Sequence, residues 1–364
     1  NGVRIHRTGF DSLKECLYFI LKIQQGRGRV GALPGRGGRV MQLLEWLYKK
    51  TWKNLFFPDD ACVWYFPAKR KLFQLLENES FDALITVSLP FTGHLLGLAA
   101  KRRFPAIHWI ADIGDPFSIQ AQSPNNTWLY GRKNLCLERE VLETADAVSV
   151  TTEATVKEYQ ALFGGEIARK IWVIPPLFTL HAGLNDPKEA GAAIRQTAES
   201  RQTKAVSLGY FGALYAKTRT PDTLLDLLTR IFSIRSNLKA RLEFHFYGEI
   251  FPEFYEALSS QPAIQLHGLR SRSESWLAMQ SMDVLINIGN TSDFQLPSKA
   301  VDYLASGKPV LNLSYVEADP FARFFEGNPM IFNLPVRHGK ISEADVLRCI
   351  QWLESEKTGI DPEI

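Results

Sequence analysis

The residues best suited to chemistry lie in TSDFQLPSKAVDYLASGKPVLNLS, Thr291 to Ser314. Pro297, Ser298 and Lys299 open a stretch in which Ala300, Tyr303 and Leu304 recur at helical spacing, and Gly307 and Pro309 end it. The free N–H groups of a first helical turn favour an anion, so a phosphate fits Pro297-Ser298-Lys299. Asp302 lies one turn further along, where a carboxylate can accept hydrogen bonds from sugar hydroxyls. A second cluster is GALYAKTRTP, with Gly212, Lys217, Arg219 and a helix-opening Pro221. Glycine allows close backbone approach, and a Lys point charge beside a planar Arg fork suits a diphosphate. A third group is His94 in SLPFTGHLLG with Asp112 and Asp115 in WIADIGDPFS. A carboxylate here can orient an acceptor hydroxyl or balance positive charge on a sugar. The structural alternatives are a helix-start residue for His94 and turn formers for the two aspartates. Paired carboxylates also suit glycoside hydrolysis, but that chemistry predicts no diphosphate grip.

These residues need strand ends to hold them. Buried-strand patterns occur at FDALITVS, AIHWIAD, AVSVTT and KIWVIPP, with helical patterns at about 67–77, Thr92 to Arg103, Leu129 to Ala145 and Ala154 to Phe163. The rhythm stops over 177–205, a polar, Ala-rich run with Gly183 and Pro187, and resumes at VSLGYFG, RLEFHFYGE, AIQLHG, DVLINIG, KPVLNLS and MIFNLP. The expectation is α/β: two doubly wound, Rossmann-like domains facing across a cleft, at 1–176 and 206–364, joined by a linker. In such sheets ligands sit outside the carboxyl ends of the strands. The candidate residues fall there.

PSKAVDYLASGKPVL resembles the donor-nucleotide segment of retaining glycosyltransferases of the GT-B fold, the large family four group. WIADIGDPFS, ADAVSVTTEATVKEYQALFG, KIWVIPP, LGYFGALYAKTRTP and FHFYGE follow the same family's order, so the likeness covers most of the chain. It implies a sugar moved from a nucleotide-sugar donor, with the phosphates gripped at Gly212, Lys217 and Arg219 and the base held by the loops at Glu249 and Arg270. It implies a cell-surface glycan or lipid-linked acceptor, no cofactor beyond the donor as substrate, and no essential metal. One departure stands out: the family's usual motif has two glutamates eight apart, and counting back from Asp302 lands on Phe294, beside Asp293. A domain of this kind opens with a strand and a glycine-rich turn. GVRIHRT is the first strand candidate here and is not followed by such a turn, so the opening strand and helix are expected to be missing. The alternatives are a nucleotide-sugar epimerase of the same fold and a non-catalytic binding module.

At 364 residues, the chain exceeds what one hydrophobic core usually serves. No apolar run approaches the roughly 20 residues a bilayer span needs. Cys16, Cys62, Cys136 and Cys349 are far apart, which predicts reduced thiols, no metal site and a cytoplasmic setting. Charge is uneven: the first 53 residues hold eleven Lys or Arg against three acidic residues, while the whole chain is only +3. With Phe10, Tyr18, Phe19, Trp46 and Trp52 interleaved, this segment suits peripheral contact with an anionic membrane, such as the inner face of the cell membrane, or a solvated face of helices. No nucleic-acid recognition module accompanies it. GRGRVG at 26–31 matches a dinucleotide fingerprint literally but follows a helical pattern rather than a strand, so it reads as a loop.

Overall fold

The computed structural model describes residues 3–9, 55–120, 123, 125–176, 205–214 and 219–355. The chain divides into two compact units between Pro175 and Pro176. The first holds a four-stranded parallel sheet: β1 (Ala83–Ser88), β2 (His108–Ile113), β3 (Ala147–Val150) and β4 (Ile171–Val173), side by side in that order. Helix α1 (Tyr65–Asn78) precedes β1. The crossovers are α2 (Thr92–Arg103), α3 (Thr127–Thr144), and α4 (Glu153–Phe163) with α5 (Gly165–Ala168). Parallel strands need such crossovers, and the helices then cover the sheet.

The second unit has six parallel strands: β5 (Val206–Phe211), β6 (Leu242–Tyr247), β7 (Ile264–Gly268), β8 (Val284–Ile288), β9 (Val310–Ser314) and β10 (Ile331–Pro335). Between them come α6 (Asp222–Ile234), α7 (Pro252–Ser259), α8 (Arg272–Ser281), α9 (Lys299–Ser306) and α10 (Pro320–Phe324), with α11 (Glu343–Leu353) after β10. Their order in space is β10-β9-β8-β5-β6-β7. The chain builds outward from β5 in one direction, then returns to β8 and builds outward in the other. The β5–β8 pair is therefore the topological switch point, where crossovers leave toward opposite faces and open a crevice at the carboxyl edge.

Every residue of β5 and β8 is buried, as their unbroken apolar runs require of central strands covered on both faces. Leu224, Leu227, Leu228 and Ile231 of α6 pack on one face, and Tyr303 of α9 with Phe321 of α10 on the other. Each such side chain contributes about 1.5–3 kcal/mol by leaving water. The carboxyl half of this sheet is laced by a polar ladder: Asn287 Nδ2 donates to Asn312 Oδ1 at 2.7 Å, and Asn312 Nδ2 donates to Asn333 Oδ1 and to Asp319 Oδ2, each at 2.8 Å. The three asparagines occupy matched register positions on β8, β9 and β10.

Val3 to Gly9 form no strand; Arg4 pairs with Glu79 and Trp64 Nε1 donates to Thr8 Oγ1 at 3.1 Å, so side chains rather than a backbone ladder tie this segment down. Residues 10–54, which hold most of the basic segment, and residues 177–204 of the linker lie outside the described residues. Cys62, Cys136 and Cys349 are free thiols.

Candidate functional site

Beyond the carboxyl end of β5 the backbone closes tightly on its neighbour. Gly212 N donates to Tyr247 O at 2.9 Å, and Leu214 N donates to Glu249 O at 3.0 Å. A Cβ at Gly248, whose φ is +140°, would lie 2.0 Å from Gly212 O. Glycine at 248 is therefore demanded both by the left-handed backbone and by the approach of the two loops. Residues 215–218, and with them Lys217, lie outside the described residues.

Arg219 crosses the switch point. Its Nη2 donates to Asn290 Oδ1 at 2.6 Å, and Asn290 Nδ2 donates onward to Gln295 O at 3.0 Å. The guanidinium thus joins the loop after β5 to the loop after β8. Its Nε is buried without a hydrogen-bond partner among the described residues, so the head group carries more donors than its protein contacts use. Gly289, at the start of the second loop, has no room for a Cβ, which would meet Leu313 O at 2.6 Å.

That loop delivers α9. Ser298 sits at its N-cap with φ −57° and ψ −24° and makes no side-chain cap bond, and Gly307 ends the helix in the left-handed conformation at φ +64°. The first-turn N–H groups are left without a side-chain acceptor from Ser298. On the inner face, Tyr303 OH donates to Ile286 O at 2.9 Å and accepts from Phe211 N at 3.3 Å. Burial pushes its phenol far up, so it remains a neutral donor. One side chain of α9 is thereby pinned to the end of β5 and the middle of β8.

On the outer side, Asp302 lines a cavity of about 450 Å³ together with Arg270, Arg272, Ser275, Trp276, Ser298 and Lys299. Arg272 Nη2 stands 3.9 Å from Asp302 Oδ1 and Lys299 Nζ 3.8 Å from Oδ2. Both are ion pairs beyond hydrogen-bond range, so the carboxylate keeps acceptor capacity for hydroxyls. Three cations around one carboxylate give the cavity a positive balance. The sequence placed Asp302 and Lys299 correctly on one helix, but Arg272 on α8 carries no signal of its partnership with Asp302.

In the first unit the candidates separate. His94 is completely buried. Its Nδ1 lies 2.7 Å from Thr86 Oγ1, which also accepts from Trp109 Nε1 at 2.9 Å. Its Nε2 is buried without a hydrogen-bond partner among the described residues. Burial lowers its pKa to about 4, so the ring is neutral at pH 7. The expectation of an edge residue meets an inward-facing one. The reason is azimuthal: His94 shares the face of α2 with Leu98, one turn on, which is buried in the core.

Asp112 and Asp115 remain half-buried at the carboxyl end of β2. Ser149 Oγ donates to Asp112 Oδ1 at 2.6 Å, Thr151 Oγ1 donates to Gly114 O at 3.2 Å, and Ser88 Oγ donates to Asp115 O at 3.4 Å. The β2 loop is thus stitched to its neighbours on both sides. Two anchors were missed in the sequence. Buried Asp59 accepts from Thr92 N at 2.9 Å and Thr92 Oγ1 at 2.6 Å, holding the first turn of α2 from 33 positions away. Glu138 does the same for the β2 loop. Its one signal is spacing, since Asn134, Glu138, Val141 and Leu142 form the buried stripe of α3. Among the described residues no group of three or more His, Cys, Asp or Glu can hold a metal ion, and no helix is long and apolar enough to cross a membrane.

Comparison with known proteins adds to this geometry. Residues 34–180 match the family described as Glycosyltransferase Family 4. No curated protein matches the chain. Among solved structures, WaaG, a glycosyltransferase involved in lipopolysaccharide biosynthesis, superposes with a TM-score of 0.53 at 13% identity, over 74% of this chain and 75% of that one. The Candida albicans trehalose-6-phosphate phosphatase N-terminal domain gives 0.55 at 11%, over 96% and 82%. The Burkholderia xenovorans UDP-forming α,α-trehalose-phosphate synthase gives 0.51 at 11%, over 79% and 69%. At these identities the superpositions speak to the fold, while the family match falls on the first unit from residue 34 and ends just past its boundary. Together, the two parallel α/β sheets and these neighbours show that the chain has the GT-B type of fold, and residues 34–180 are similar to Glycosyltransferase Family 4.

Proposed function

We propose that this chain is a glycosyltransferase that acts with retention of anomeric configuration and without an essential metal, taking its sugar from a nucleotide-sugar donor held in the second unit. The observation that carries the reading is the switch-point cluster: Arg219 bridging the β5 and β8 loops, beside an α9 start that Ser298 does not cap. In this reading the diphosphate lies against Gly212, Lys217, Arg219 and the Pro297-Ser298-Lys299 turn, and Asp302 accepts from ribose hydroxyls. As the glycosyl bond breaks, the departing diphosphate gains charge, and fixed cations stabilise that state more than the ground state. Asp112 and Asp115 belong to the acceptor side. The acceptor is a cell-surface glycan or lipid-linked intermediate, supported by the basic composition of the first 53 residues and by the involvement of WaaG in lipopolysaccharide biosynthesis. The same composition supports a place at the cytoplasmic face of the membrane.

Calorimetric titration of a nucleoside diphosphate and of inorganic pyrophosphate tests the site. Lys217→Ala and Arg219→Ala are each expected to weaken both ligands about ten- to a hundredfold, since charge-assisted hydrogen bonds contribute roughly 1.5–3 kcal/mol. Asp302→Asn is expected to weaken the nucleotide and leave pyrophosphate nearly unchanged. Parent-like nucleotide affinity in folded Lys217→Ala and Arg219→Ala would remove the donor site. Product analysis with donor sugars then separates transfer or hydrolysis from simple binding.

A further inference from the structure

Glu138 is a completely buried carboxylate whose described hydrogen-bond partners are all neutral. Its Oε1 accepts from Phe117 N at 2.6 Å and from the Tyr159 hydroxyl at 2.6 Å. Its Oε2 accepts from Ser118 N at 2.9 Å and from the Ser118 hydroxyl. Taking a carboxylate out of water is costly unless its lone pairs are satisfied, and a greasy residue would serve the core of α3 without that cost. The arrangement holds something specific in place. Two of the donors are consecutive backbone N–H groups, so the carboxylate fixes the orientation of two successive peptides in Asp115-Pro116-Phe117-Ser118. Phe117 then stacks on Phe91, just before α2, with centroids 4.1 Å apart and planes 15° apart. Tyr159, on α4, is kept protonated by burial and by the Glu138 charge, and so always donates.

We propose that Glu138 is a positioning residue: it sets the loop that presents the Asp115 carboxylate at the carboxyl edge of the first unit. The proposal rests on the reading of Asp115 as an acceptor-side group. Replacing the carboxylate by an amide keeps one acceptor oxygen but sets an NH2 group against the donors of the other, so one of the two loop N–H groups loses its acceptor and the loop should open locally.

The test uses the full chain carrying Glu138→Gln, Ser118→Ala or Tyr159→Phe. Hydrogen exchange of the 114–120 peptide reads the loop, UDP and GDP calorimetry reads the donor unit, and hydrolysis of UDP-glucose, GDP-mannose and UDP-N-acetylglucosamine gives kcat and KM. For Glu138→Gln, exchange at Phe117 and Ser118 is expected to rise at least tenfold and kcat to fall at least tenfold. Donor KM and nucleotide Kd should stay within twofold, a split that general destabilisation would not produce. Ser118→Ala should show the same pattern at three- to tenfold, and it decides the matter if Glu138→Gln does not fold; Tyr159→Phe should show less. Unchanged loop exchange, or faster exchange with parent-like kcat, would overturn the positioning role while the transfer reading stands. A parent that hydrolyses none of the three sugars would instead overturn the transfer reading, and the positioning role with it.

Discussion

Replacing Asn312 by alanine should lower the stability of the second unit by about 3–5 kcal/mol, although the substitution removes only a small side chain. Asn312 is completely buried and joins two partners that cannot reach water in its place, the Asn287 amide and the Asp319 carboxylate, to the Asn333 carbonyl, which is exposed. Each buried polar group stranded without a partner costs about 1–3 kcal/mol, and networks of this kind lose more than their pairwise bonds suggest. Asp319 still caps α10 through its other oxygen, which accepts from Phe321 N at 3.0 Å, so the damage should concentrate between β8 and β9. Those strands feed the loop that carries Asn290 and the start of α9. Urea unfolding followed by a probe in the second unit should show a lower midpoint with little change in slope, and nucleoside diphosphate affinity should fall with it. A loss below 1 kcal/mol would mean that the ladder is replaceable.

Acidification should destabilise the first unit by about 3 kcal/mol through His94 alone. Burial holds the folded pKa at about 4, whereas an unfolded histidine titrates near the ordinary value of 6.5. Between these values the unfolded chain takes up a proton that the fold refuses. The contribution is fully present above pH 6.5 and is lost as pH falls toward 4. Asp59 acts in the opposite sense: burial raises its pKa, so its protonated form is favoured in the fold and acidification relieves it. The His94 contribution is therefore isolated as the difference between the parent and His94→Gln, both unfolded in urea at pH 7.5 and at pH 4.5. The parent should lose more stability than the variant over that interval. Equal losses would show that the ring is protonated in the fold or reaches solvent.

The sequence by itself determined the elements and the edge at which their ends gather. Unbroken apolar runs define β5 and β8, helical spacing between Pro297 and Gly307 defines α9, and Thr92 to Arg103 is helical from end to end, because these periods are local properties of the chain. Strand alternating with helix was enough to place Gly212, Arg219, Asp302, Asp112 and Asp115 near carboxyl ends. Which of them meet was decided only by the tertiary structure. Arg219 reaches Asn290, 71 positions away, because β5 pairs with β8, and no local spacing encodes that pairing. Asp302 gains Arg272 because α8 and α9 lie side by side on one face of the sheet. His94 turned inward because a helix start says where a residue lies along the axis, and its azimuth depends on what the helix packs against. The roles of Glu138 and Asp59 were missed for a related reason: a carboxylate looks solvated until its donors arrive, and those donors are 21 and 33 residues away.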